Sequence, residues 1–175
     1  MSPVQGFPPV STPEARVLIL GSMPGIASLD AHRYYAHPRN AFWPIMEALL
    51  GTTLADDERL YPRRLQMLRQ AGVALWDVMH RCTRPGSLDS SIDAQSIEVN
   101  DFPAFFIAHP RIELIACNGA TAYKEYRGRV LPALDDAWAQ CPIVRLPSTS
   151  PAMASLGLSA KIAIWRQALG PVLTG

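Results

Sequence analysis

The chain has 175 residues, 49% hydrophobic and 18% charged, the make-up of an ordinary folded globule, which excludes a disordered tail, a collagen and a coiled coil. At about 100–200 residues per domain it reads as a single domain over 1–175, with a proline-rich N-terminal extension over 1–13. A formal charge of +1, from 14 arginines, Lys124 and Lys161 against 15 acids, is too even to predict polyanion binding by itself.

Met1–Pro13 carries four prolines and no basic stretch ahead of an apolar run, unlike a secretory signal. No apolar run reaches the ~18–20 residues that span a bilayer. The expected location is therefore the cytoplasm, with no membrane partner. Cys82, Cys117 and Cys141 are odd in number and far apart, which fits reduced thiols rather than a disulfide framework, a zinc finger or an iron–sulfur cluster.

Period and punctuation alternate along the chain. Arg16–Leu20 is a β-branched apolar run closed by Gly21, as in a buried parallel strand. Phe42–Leu50 reads as a helix stopped at Gly51, and Glu58–Gln70 as a second before Gly72. Val73–Asp77 is the next strand. After the loop Arg84–Ser91, Asn100 is placed to cap a helix over Asp101–Ala108, and Ile112–Cys117 is a third strand. Ala120–Val130 reads as helix, Ile143–Leu146 as a fourth strand, Pro147–Pro151 as a polar turn, and Ser159–Leu169 as a last helix. Such alternation predicts an α/β fold of three layers, α/β/α, around a central, mainly parallel four-stranded sheet. A ligand then sits at the carboxyl ends of the strands, where Gly21–Gly25, Asp77, Asn118-Gly119 and Pro147–Pro151 converge.

The common motifs are missing. The turn Gly21–Gly25 fits neither GxGxxG nor GxxxxGK[ST], and no GxSxG or HExxH occurs. His32, His37, His80 and His109 are unclustered, and the zinc deaminase signature is absent. No metal, cofactor or serine nucleophile is expected.

What remains is Tyr34–Trp43, YYAHPRNAFW, a loop able to stack a flat ring, touch phosphate and aim an amide. Two readings stand for its parts: Phe42 and Trp43 also fit the core face of the next helix, and Asn40 also fits a helix cap. Asn118 fits either a base-reading amide or an Asn-Gly turn needing positive φ. Arg59–Arg84 holds six arginines against one acid and fits either a DNA face or a solvated helix face; Arg84 joins His37 and Arg39 as a phosphate candidate.

Gly21-Ser22-Met23-Pro24-Gly25, YYAHPRNAFW and Leu146–Ala152 together resemble the two active-site motifs of the uracil-DNA glycosylase superfamily. The nearest likeness is to its hypoxanthine-DNA glycosylase branch, followed by the mismatch-specific uracil glycosylases through HPxNxFW. It runs from about Val17 to Leu169, with ungapped spacing between the first turn and HPRNAFW.

That resemblance implies a monofunctional glycosylase that flips a deaminated base, hypoxanthine or else uracil, out of DNA and hydrolyses its N-glycosidic bond. DNA with such a base is the implied partner, and no obligate protein partner is. Asn40 is the implied catalytic amide, since Met23 stands where other branches place an Asn or Asp. Ser22, Met23, Tyr35, Phe42 and Asn118 form the implied base pocket. His37, Arg39, Pro147, Ser148, Thr149, Ser150 and Met153 form the implied DNA contact and wedge. Leu146 replaces the histidine of the uracil-specific branch. Asp77 or Asp89 can assist Asn40 in orienting water, although Asp77 also fits a turn cap. Lys124 and Lys161 lie in predicted helices away from the strand ends, which argues against a Schiff-base lyase. A catalytically silent nucleic-acid or nucleobase-binding module is the alternative, and hydrolysis of free nucleosides is disfavoured because a wedge has no work on a small substrate.

Overall fold

The computed structural model describes residues 2–174. Its strands are β1 (Val4–Gln5), β2 (Val17–Gly21), β3 (Val73–Asp77), β4 (Met79–Cys82), β5 (Glu98–Val99), β6 (Leu114–Asn118) and β7 (Ile143–Leu146). Its α-helices are α1 (Ile26–Ala31), α2 (Phe42–Leu50), α3 (Leu60–Gln70), α4 (Phe102–Ala108), α5 (Ala120–Glu125), α6 (Asp136–Ala139) and α7 (Leu158–Thr174). The main sheet is parallel throughout, in the order β3-β2-β6-β7.

The alternation of side chains along β2 builds the three layers. Val17 and Ile19 pack with Phe42, Met46, Leu68 and Trp165 from α2, α3 and α7. Leu18 and Leu20 point the other way, against Phe102, Phe106 and Tyr126 beside α4 and α5. Both faces are therefore covered, which is why this strand reads as a continuous apolar run.

A second, antiparallel sheet, β1-β4-β5, was not legible. It takes in the proline-rich segment: Val4 pairs with Cys82, Val10 bridges Leu75, and the Phe7 carbonyl accepts from Trp76 Nε1 at 3.0 Å. The segment expected as an extension is thus laced into the fold.

Helix ends differ in detail. Asp101, not Asn100, caps α4 by accepting from Ala104 N at 3.0 Å. Asn100 instead donates its amide to the Asp77 carbonyl at 2.8 Å. The helix expected to run to Val130 leaves α geometry after Glu125 and continues as one π-helical turn. Among the described residues no helix is long and apolar enough to cross a membrane.

Candidate active site

The carboxyl ends of β2, β3, β6 and β7 open on a cavity of about 480 Å³. Parallel pairing sets Gly21 directly beside Asp77. A Cβ at position 21 would strike Asp77 Oδ1 and lie 3.0 Å from the Tyr35 hydroxyl, so the glycine makes room for both groups on the cavity floor.

The turn after β2 forms one wall and is held by the loop after β4. Ser22 Oγ donates to Asp89 Oδ1 at 2.8 Å, and Ile26 N donates to Ser87 Oγ at 2.8 Å. Arg84 is buried, with its guanidinium on the carbonyls of Met23, Pro24 and Gly86. It is an internal tie, which corrects its reading as a phosphate contact. The Ser22 carbonyl accepts from Met79 N, so what the backbone of Ser22 and Met23 can offer a ligand is N–H. The Met23 side chain packs with Met79 and Cys82 under the turn.

The aromatic loop forms a second wall. Tyr35 adopts φ 54, a left-handed conformation, and stacks its ring on Phe42 at 4.1 Å between centroids. Burial and the nearby Asp77 push its hydroxyl above the usual phenol range, so it stays protonated. Phe42 is fully buried and does not reach the cavity; it backs Tyr35, which corrects its assignment to the base pocket. Asn40 lines the cavity and closes a local turn into α2, one residue ahead of the cap position Ala41, its Oδ1 accepting from Phe42 N at 3.0 Å. His37 lines the cavity, with Nδ1 accepting from Arg39 N, while Arg39 itself is exposed outside the wall.

The turn after β7 closes the site and is pinned from three sides. Asn118 donates to Thr149 Oγ1 and accepts from Thr149 N, and Thr149 O accepts from Ala41 N at 2.9 Å. Thr149 is 1% exposed, which removes it from the expected DNA contacts. From α7, Trp165 Nε1 donates to Pro147 O at 3.0 Å and Lys161 Nζ to Met153 O at 2.8 Å. Ser148 Oγ accepts from Ser150 N, and Ser150 Oγ from Ala152 N, which leaves both hydroxyl hydrogens free to donate.

Asn118 also donates to the Tyr35 hydroxyl at 3.1 Å. Both its N–H groups are therefore committed inside the protein, and it acts here as a clamp rather than a free reading edge. Gly119 takes φ 97, so the Asn-Gly turn reading holds as well. The polar group left without a partner on the floor is Asp77: it is 4% exposed and its Oδ2 is buried with no hydrogen bond. Burial, reinforced by Asp89 and opposed by Arg84, raises its pKa to about 7.

Elsewhere the arginine-rich stretch is a helix face: Arg63 pairs with Asp57 at 3.2 Å and Arg64 lies over the Trp43 ring. Neither lines the cavity. Lys161 is buried on its carbonyl, and desolvation lowers its pKa. Residues missed from sequence include Arg145, which lines the cavity from β7, and exposed Leu88 and Ile26 at its rim. No motif marks these three; only the sheet register and the loop fold bring them to the site.

The geometry places one cavity between a GxxPG turn, an HPRN loop and a PSTSP turn, and the comparisons agree with it. The uracil DNA glycosylase superfamily is matched over residues 8–169, and the chain belongs to that superfamily. It is 37% identical over 115 residues to a hypoxanthine DNA glycosylase of Methanosarcina barkeri, covering 66% of this chain and 70% of that one. It is 35% identical over 141 residues to a hypoxanthine DNA glycosylase of Methanosarcina acetivorans, covering 76% and 87%. The solution structure of a candidate uracil DNA glycosylase from Methanosarcina acetivorans superposes with a TM-score of 0.75 at 30% identity, over 95% of this chain and 99% of that one.

Proposed function

We propose that this DNA glycosylase removes hypoxanthine from DNA, with uracil as a second base, as a monofunctional enzyme of base excision repair. The observation that carries the reading is the strand-end cavity, which joins the three motif loops in a protein similar to two hypoxanthine DNA glycosylases.

Extruding a nucleotide costs a few kcal/mol, least at a mispaired base, so the duplex must be held and the vacated space filled. Pro147–Met153 supplies the wedge, with Ser148 and Ser150 hydroxyls for phosphate, and its ties to α7 and Asn118 mean that it enters DNA already shaped. His37 and Arg39 hold phosphate beside it. The base enters the cavity against Tyr35, whose ring is kept in place by Phe42.

Hydrolysis passes through an oxocarbenium-like sugar. Asn40 is too weak a base to strip a proton from water; its amide, fixed by the bond to Phe42 N, positions the water instead. No lysine serves as a Schiff base: Lys161 is spent on Met153 O and, like Lys124, lies outside the cavity lining.

The test is a gel assay with duplexes carrying one inosine or one uracil, followed by alkali. Strand breaks only after alkali, faster from inosine, support the reading. Tight, salt-sensitive binding with no base release from either duplex replaces it with a silent binding module.

A further inference from the structure

We infer that Asp77 is a catalytic residue of this site, the proton donor to the departing base. The inference rests on the reading that the base enters the strand-end cavity. Asp77 ends β3 at the floor of that cavity, in space that Gly21 leaves vacant.

Among the described residues its Oδ2 is buried and has no hydrogen-bond partner. The amide and serine hydroxyl beside it are bonded elsewhere: Ser22 donates to Asp89, and Asn118 donates to Tyr35 and Thr149. Asn100 bonds the Asp77 backbone carbonyl, not the carboxyl. Burying such a group without a partner costs about 1–3 kcal/mol, more when it is charged. A fold that keeps it on the floor of a ligand cavity is holding it for the ligand.

The surrounding charge favours the protonated acid. Arg84 is the cation facing it, but the guanidinium is engaged with three carbonyls. Asp89 faces it across Ser22, and Tyr35 contributes an un-ionised phenol from the aromatic loop. The resulting pKa of about 7 leaves a substantial share as the acid at neutral pH. A base entering the cavity expels water and raises that share.

A purine needs this help more than an acidic pyrimidine does, because it leaves readily only with a proton on a ring nitrogen. As C1′–N9 breaks, its electron pair moves to the base, and the Asp77 O–H proton passes to a ring nitrogen. Water adds to C1′ and gives a proton to solvent, and the Asp77 carboxylate is reprotonated from solvent. Neutral base and a deoxyribose hydroxyl result.

Base release from inosine DNA by the unaltered protein tests the underlying reading; its absence would remove that reading and leave no reaction for Asp77. Given release, single-turnover rates of wild type and Asp77→Asn at saturating enzyme are measured across about pH 5.5–8.5. General acid catalysis predicts a wild-type rate that falls about tenfold per pH unit above the Asp77 pKa, and a variant about 10²–10⁴-fold slower with that limb flattened. His37→Gln, which removes the imidazole that lines the same cavity, must keep the limb. Both proteins must bind an uncleavable 2′-fluoro-inosine duplex equally, which a merely structural aspartate would not predict together with a lost limb. A variant that keeps the wild-type profile overturns the inference. Should Asp77→Asn fail to fold, a wild-type rate independent of pH over the range overturns it alone.

Discussion

Asn118 and Thr149 bond each other twice: Asn118 Nδ2 donates to Thr149 Oγ1 at 3.0 Å, and Thr149 N donates to Asn118 Oδ1 at 3.0 Å. The pair is buried and ties the end of β6 to the turn after β7. Asn118→Ala leaves the Thr149 N–H buried and unpaired, at a cost of about 1–3 kcal/mol. For a protein of this size that lowers Tm by about 2–4 °C per kcal/mol, read by thermal melting. The wedge turn also loses its anchor, so affinity for duplex DNA falls together with Tm.

How much of this could be read from the chain follows from how local each signal is. β2, β3, β7 and α2 are visible as apolar runs bounded by glycine or a polar turn, because their burial is written in consecutive residues. β1 and β5 have two residues each and exist only through β4, whose pairing with Val4 spans most of the first half of the chain. The motif loops were legible as a set, but the division of labour within them was not. Asn118 meets Tyr35 across 83 residues and Thr149 across 31, so its amide looked free in sequence and is committed in the fold. Asp77 looked like a turn cap for the same reason: its burial depends on Gly21 in the neighbouring strand.

Asn40 carries two roles, and one substitution separates them. Asn40→Ser keeps a side-chain oxygen able to accept from Phe42 N, so its stability stays within about 1 kcal/mol of wild type. Base release from inosine DNA falls at least about a hundredfold, because a hydroxyl does not orient water as the amide does. Asn40→Ala loses both, melting about 0.5–2 kcal/mol less stably as well as being inactive. A fully active, normally melting Asn40→Ser would remove Asn40 from the chemistry.

Arg39 is exposed beside the cavity and makes no ion pair among the described residues. Arg39→Ala therefore leaves the unfolding free energy within about 0.5 kcal/mol of wild type. Its duplex affinity drops, and the slope of log affinity against log salt becomes shallower by about 0.9, one phosphate contact. An unchanged slope would place the guanidinium off the DNA.

Gly21 stands where a single methyl group meets the Asp77 carboxyl and the Tyr35 hydroxyl. Gly21→Ala overpacks the floor at a cost of about 1–3 kcal/mol, modest beside its effect on function. Both displaced groups face the base, so single-turnover base release falls by more than about tenfold while the protein still folds, as circular dichroism would show.

Asp77 leaves a stability signature that needs no substrate. Its folded pKa of about 7 lies above the ordinary carboxyl value of 3.8, so the folded chain holds this proton more tightly than the unfolded one. The stabilisation is complete below the ordinary value and lost as pH rises through the folded value. Above that point the fold carries a buried, unpaired carboxylate, and the two values set a ceiling of about 4 kcal/mol on its cost. Asp77→Asn removes the charge at constant shape. The variant is therefore more stable than wild type at pH 8, and the gap narrows steadily as the pH is brought down to 4. Denaturant unfolding at fixed pH steps measures it, and a gap that does not change with pH would show that Asp77 is ionised throughout.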